Sequence, residues 1–193
     1  MLICGIDEAG RGPLAGNVFA AAVILNEGDF IPGLDDSKKL SEKKREALFS
    51  IIKDRAVAWA VSEATVDEID QMNILQASLL AMKRAFDKVR HFSCKDVYID
   101  GSCCPHLDNP CSAVVGGDSL IPAISAASIL AKVSRDRYCR GLHELYPQYN
   151  FIQHKGYPTQ QHFFLLDKYG PSPVHRRSFA PVKKYLQDVE LRT

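Results

Sequence analysis

Apolar and polar positions along the chain alternate between two periods. Leu2 to Asp7 is a short apolar run followed by the turn signal Gly10-Arg11-Gly12-Pro13, which predicts a strand ending at a tight bend. Asn17 to Leu25, rich in Val, Ala, Phe and Ile, predicts a second strand, and the alternation of Val57, Trp59 and Val61 a third. Between them Ser41 is placed to cap a helix whose apolar positions are Leu48, Ile51 and Ile52. Met72, Leu75, Leu79, Met82, Phe86 and Val89 then step by three and four, the pattern of a long amphipathic helix. Val97-Tyr98-Ile99-Asp100 and Ala113-Val114-Val115 read as two more short strands. Ile121 to Leu145 reads as a helix whose small residues Ser125-Ala126-Ala127-Ser128 allow close packing on a sheet. Thr159 caps a further helix over Phe163, Phe164 and Leu166, stopped at Gly170-Pro171. Three strands, then helices, then strands alternating with helices predict an α/β domain on a mixed sheet.

The chain has 193 residues, enough for one domain with a sizeable core. Lys and Arg number 24 against 23 acids, which excludes the strongly basic class of nucleic-acid binders but leaves local patches open. From His154 to the end there are seven Lys/Arg and three acids, and the stretches His175-Arg176-Arg177 and Lys183-Lys184 hold no acid. Six cysteines without a Cys-x-x-Cys pair argue against a disulfide scaffold and a structural zinc site. Cys103, Cys104 and Cys111, near His106, are read as reduced thiols in a loop. The acidic pair Asp7-Glu8 is unlike a signal peptide, and no run of about 18 apolar residues occurs, so a soluble cytoplasmic protein without membrane association is expected.

The candidate chemistry lies at strand ends. Asp7 and Glu8 close the first strand, Asp100 closes the fourth, and Asp118 follows the fifth after Gly116-Gly117. Taken singly, each has an ordinary explanation: a surface acidic pair, a turn-initiating Asp before glycine, a helix cap. Together, four carboxylates delivered by strands to one edge suit hard divalent cations, Mg²⁺ or Mn²⁺. Two such ions about 3.5–4 Å apart perform in-line displacement at phosphorus, which points to phosphodiester hydrolysis. The loop Gly10-Arg11-Gly12 lacks the Gly-Lys-Ser/Thr ending of a nucleotide-triphosphate loop, but lets backbone amides approach a sugar-phosphate. Tyr157, in a polar turn, is either half-buried packing or a stacking platform.

These residues resemble bacterial ribonuclease HII, a type 2 ribonuclease H. The resemblance runs through residues 5–16 (Gly5-Ile6-Asp7-Glu8-Ala9-Gly10-Arg11-Gly12-Pro13-Leu14-Ala15-Gly16), Asp36-Ser37-Lys38-Lys39-Leu40-Ser41 and Asn73-Ile74-Leu75-Gln76-Ala77. It continues through residues 124–133 with Arg135-Asp136, then His154-Lys155-Gly156-Tyr157-Pro158-Thr159 and His175-Arg176-Arg177-Ser178-Phe179. It implies a ribonuclease H-like fold with a mixed sheet of about five strands flanked by helices and a small helical C-terminal segment. One catalytic domain over 1–193, basic from about residue 154, is expected, working as a monomer. It further implies endonucleolytic cleavage of RNA paired with DNA and cutting beside single ribonucleotides in duplex DNA, with Mg²⁺ or Mn²⁺, leaving 5′-phosphate and 3′-hydroxyl ends. Asp7, Glu8 and Asp100 match the family's metal ligands and Asp118 its fourth acid. Gly10, Arg11 and Gly12 match the loop that senses the 2′-hydroxyl, and Tyr157 the tyrosine that packs on the neighbouring sugar. Arg176 and Lys184 are expected to grip the nucleic-acid backbone. The chain departs from relatives in carrying Gly116 where a Lys often precedes Gly-Asp, which is expected to raise the proton affinity of Asp118.

Overall fold

A computed structural model describes the backbone of residues 1–190 and side chains through residue 186. Strands β1 (Leu2–Ala9), β2 (Val18–Asn26) and β3 (Ala58–Ala64) form an antiparallel meander. β4 (Asp96–Asp100) and β5 (Ser112–Val114) add in parallel to the other edge, giving the order β3-β2-β1-β4-β5. Five strands in a mixed sheet match the expectation.

β2 is buried from Val18 to Leu25 because helices cover both faces. On one face lies α2 (Val66–Asp87), which contributes Ala77, Ala81, Met82, Ala85 and Phe86 to a cluster with Ile6, Ala22 and Ile24. On the other lie α1 (Glu42–Arg55) and α3 (Pro122–Leu145), with Phe49, Ile52, Ala126, Ala127 and Leu130 packed on Ala21 and Val23. Full burial of a side chain such as Ile52 or Leu130 contributes about 1.5–3 kcal/mol. Ser125 to Ser128 are all buried, so the small-residue stretch does bring α3 close to the sheet. Gly5 is required for the same contact, since a Cβ there would overlap the Ala123 backbone.

The caps at Ser41 and Thr159 are formed, the latter opening α5 (Gln160–Tyr169), which ends at Gly170. Other details differ. In α1 the inward stripe holds Phe49 while Ile51 is exposed, a phase offset that spacing over one helical turn leaves undetermined. The second helix starts earlier than its apolar stripe, at a capping box of Thr65 and Glu68, and kinks where Asn73 adopts φ +72°; Leu75 consequently faces outward. Val115 lies beyond β5 and is exposed. Cys104 and Cys111 are joined in a disulfide, which corrects the reading of both as reduced thiols. The loop brings their Cα atoms to 6.4 Å, within bridging range.

The C-terminal third packs as a third cluster, with Phe151, Leu166 and Val182 against Leu14, Ala15 and Leu142. A short helix α4 (Phe151–His154) and α6 (Ala180–Glu190) complete it, and a single bridge pairs Ala15 with His175. Arg192, counted in the basic segment, lies outside the described residues.

Candidate active site

β1 and β4 run parallel with Ile6 beside Ile99, so the next residues, Asp7 and Asp100, come side by side where the β1–β4 pairing ends. Both acids of the Asp7-Glu8 pair belong to β1 itself, which extends to Ala9. Beyond β5, Gly116 at φ +68° and Gly117 turn the chain back. A Cβ at Gly117 would overlap Ile124 Cδ1, so a larger residue there would require the Ile124 side chain on α3 to shift. This turn delivers Asp118, whose carbonyl accepts from Ser125 Oγ. One carboxylate oxygen from each of Asp7, Asp100 and Asp118 lies within 4.8 Å of the others. Glu8 lies outside that trio, against Arg11 Nη1 at 3.5 Å, on the same cleft.

Burial raises Asp7 well above the ordinary carboxylate range, and the charges of Glu8 and Asp100 raise it further. Glu8 is also raised by burial, with Arg11 opposing. Asp118 is raised by burial and by Asp100, while Lys38, whose Nζ is 3.9 Å from Asp118 Oδ2, pulls it down. A cation thus reaches Asp118 from a distant loop although Gly116 supplies none, and the left-handed backbone at 116 favours glycine.

The residues fit a divalent cation. The donor set is oxygen only, and Asp100 Oδ1 is buried without a hydrogen-bond partner among the described residues. Such an acceptor is costly unless a cation or water completes it. Asp7, Asp100 and Asp118 are the residues that could hold such a cation, with Glu8 adjacent.

Gly10, Arg11, Gly12 and Tyr157 all line this cleft. A Cβ on Gly12 would stand 3.5 Å from Tyr157 Cε1, so loop and ring face each other directly. Arg135 lies 5.8 Å and Lys132 6.0 Å from the Tyr157 ring centre. Sequence reasoning missed Ser37, Lys38, Ser128 and Lys132 as cleft residues. Their only signal was membership of motif blocks, since nothing local tells which side chain of Asp36-Ser37-Lys38-Lys39 turns toward the acids.

Two basic residues are not part of this cleft. Arg176 is fully buried and its guanidinium is consumed by the carbonyls of Gly10, Arg11 and Gly16, which corrects its expected role as a backbone-gripping contact. Lys184 is exposed but lines a separate groove with Phe163, Pro181 and Tyr185.

Residues 4–182 match the family described as Ribonuclease HII. A ribonuclease HII from Dechloromonas aromatica (strain RCB) is 60% identical over 185 residues, covering 96% of this chain and 94% of its own. The crystal structure of the ribonuclease H2 from Pyrococcus horikoshii OT3 superposes with a TM-score of 0.78 at 27% identity, covering 98% and 99% of the two chains. A structure of Bst-RNase HIII in complex with Mn²⁺ shares the fold, with a TM-score of 0.76 at 17% identity over 100% of this chain and 71% of that one. Fold, acidic cleft and sequence likeness agree: the chain belongs to the ribonuclease HII family, metal-dependent endoribonucleases acting on RNA paired with DNA.

Proposed function

We propose that this cleft hydrolyses the RNA strand of RNA·DNA hybrids and also cuts 5′ to a single ribonucleotide in duplex DNA, leaving 5′-phosphate and 3′-hydroxyl ends. The observation that carries the reading is the convergence of Asp7, Asp100 and Asp118 within 4.8 Å, with Asp100 Oδ1 unpartnered, beside a glycine loop and an aromatic ring. In this reading Asp7, Glu8, Asp100 and Asp118 hold two divalent ions, Mg²⁺ or Mn²⁺; the Mn²⁺ carried by Bst-RNase HIII supports the class of ion. When bound, such ions activate water and stabilise the leaving oxygen at phosphorus.

The chain's own residues supply position and selectivity. Phosphate is common to RNA and DNA, so ribose must be read by groups aimed at the 2′-hydroxyl. Backbone amides between Gly10 and Gly12 serve this, because a fixed amide cannot swing away. Tyr157, 39% exposed across the cleft from Gly12, packs on the neighbouring sugar and places the scissile phosphate over the acids. Lys38 offsets the negative charge at Asp118. The exposed basic residues after about residue 154, Lys184 among them, track the duplex backbone.

The third cluster ties the C-terminal segment to Leu14 and Ala15, which supports a single catalytic domain. We place it as a monomer in the cytoplasm, where its polynucleotide substrates lie. Among the described residues no helix is long and apolar enough to cross a membrane. A duplex labelled at one end and carrying one internal ribonucleotide tests the reading. A single cut 5′ to that ribonucleotide is expected; trimming from an end, or cleavage of continuous hybrid alone, would contradict it.

A further inference from the structure

Arg176 spends its side chain on backbone oxygens brought from 160 or more residues away. Nε donates to Gly16 O at 2.9 Å, Nη1 to Arg11 O at 2.9 Å and Nη2 to Gly10 O at 2.6 Å. Enclosing a guanidinium against carbonyls is expensive: burial, then the like charge of Arg135, lowers Arg176 to about 9. Arg135 lies under the same loop, donating to Lys155 O and Ala15 O, and a Cβ on Gly10 would overlap its guanidinium.

The consequence follows from peptide geometry. In a trans peptide the carbonyl and the next N–H point in opposite directions, and among the described residues no peptide bond is cis. Drawing the carbonyls of Gly10 and Arg11 inward to Arg176 therefore turns the N–H groups of Arg11 and Gly12 outward. Neither amide donates a hydrogen bond among the described residues, although Arg11 and Gly12 line the acidic cleft.

We propose that Arg176 is a positioning residue for ribose selection, which holds the Arg11 and Gly12 amides toward the cleft so that they can donate to the substrate's 2′-hydroxyl. The inference rests on the reading of the Gly10–Gly12 loop as the ribose sensor, and adds the buried group that aims it. It also replaces phosphate contact with a different role, one without direct touch on the nucleic acid.

The two roles separate in a binding experiment. In an Asp100→Asn background, fluorescence anisotropy compares one duplex with a single ribonucleotide and the same duplex in all-DNA form, across a salt series. The expected result is that Arg176→Met lowers the ribo-to-deoxy affinity ratio roughly fivefold for each amide bond lost. Affinity for the all-DNA duplex and its salt slope should stay as they were, and Arg176→Lys should restore part of the ratio. Equal losses on both duplexes with a flatter salt slope would overturn the proposal in favour of phosphate contact. A wild-type ratio well above one that survives Arg176→Met would overturn the role of Arg176 alone, whereas a wild-type ratio near one would remove the ribose reading itself and the proposal with it. Should Arg176→Met fail to fold, amide NMR on the Arg176-intact protein decides. The Arg11 and Gly12 cross-peaks should shift with the ribonucleotide duplex and not with all-DNA, and equal shifts with both would overturn the proposal.

Discussion

His162 and His175 meet through their Nε2 atoms at 3.0 Å inside the C-terminal cluster. The proton between them has a direction. Ser172 N–H donates to His175 Nδ1 at 2.9 Å, so His175 carries its proton on Nε2 and donates to His162. His162 then donates from Nδ1 to the Tyr157 carbonyl at 3.0 Å. Two neutral histidines therefore tie the segment before Arg176 to the turn that carries Tyr157.

That chain works only with neutral rings, which gives it a pH dependence. Burial, and then His154, lowers His162 to about 4; burial, and then His162, lowers His175 to about 3. Both lie below the unfolded value near 6.5, so the unfolded chain binds protons first. The stability they contribute is complete above about pH 6.5 and is lost progressively toward pH 3–4. Asp7, Glu8 and Asp118 act oppositely, because their raised values favour the folded state as they protonate. Urea melts of wild type and His175→Asn at pH 7 and pH 5 isolate the histidines. The stability gap between the two proteins should shrink at pH 5; parallel behaviour would exclude a buried neutral pair.

Asp100→Asn removes one charge from the acidic trio while keeping the side chain's size. Turnover should fall about a thousandfold or more, since several kcal/mol of charge stabilisation depend on the cluster. Without metal, relief of repulsion should raise the melting temperature by about 2–4 °C for each kcal/mol recovered. A nuclease-free preparation with near-normal turnover, or a variant that melts lower than wild type in chelator, contradicts this.

Tyr157 stands across the cleft from Gly12 and is expected to matter most when only one ribose is present. Tyr157→Ala should lose about 100-fold on a single embedded ribonucleotide, as misplacement of the phosphate by about 1 Å implies, and about tenfold on continuous hybrid. Tyr157→Phe should keep most activity on both. Rates on the two substrates check this, and equal small losses for Tyr157→Ala would make the ring ordinary turn packing.

Lys184 is exposed, unlike Arg176 eight residues earlier. Lys184→Ala should weaken duplex binding and reduce the salt slope by about one, without moving the cut. An unchanged slope would assign Lys184 to its own groove with Phe163 and Tyr185 rather than to the nucleic acid.

The acids were legible in the sequence because their signal is local. An apolar run leading into an Asp beside a glycine turn marks the end region of a strand; Asp7 and Asp100 stand before such a turn and Asp118 directly after one. Parallel pairing of β1 with β4 then makes neighbours of two strand ends 93 residues apart, as the register of Ile6 with Ile99 shows. Arg176 was misread for the opposite reason. A run of His-Arg-Arg has the composition of a solvated face, and only the fold brings the carbonyls of Gly10, Arg11 and Gly16 around it. Lys38 was missed likewise, since its 3.9 Å approach to Asp118 joins loops 80 residues apart in sequence. In α1, the helix was legible from its cap while its inward face was displaced, because Phe49 and Ile51 flank the same stripe and only packing on Val23 and Leu130 chooses between them.

The central claim is that Asp7, Asp100 and Asp118 form the ion-holding centre. Anomalous diffraction from crystals grown with Mn²⁺ and a ribonucleotide-containing duplex tests it most directly. Peaks bounded by these three carboxylates in the wild type, weakened or lost in Asp7→Asn, are the predicted result; Mn²⁺ absent from the trio, or bound there undiminished in Asp7→Asn, would contradict it.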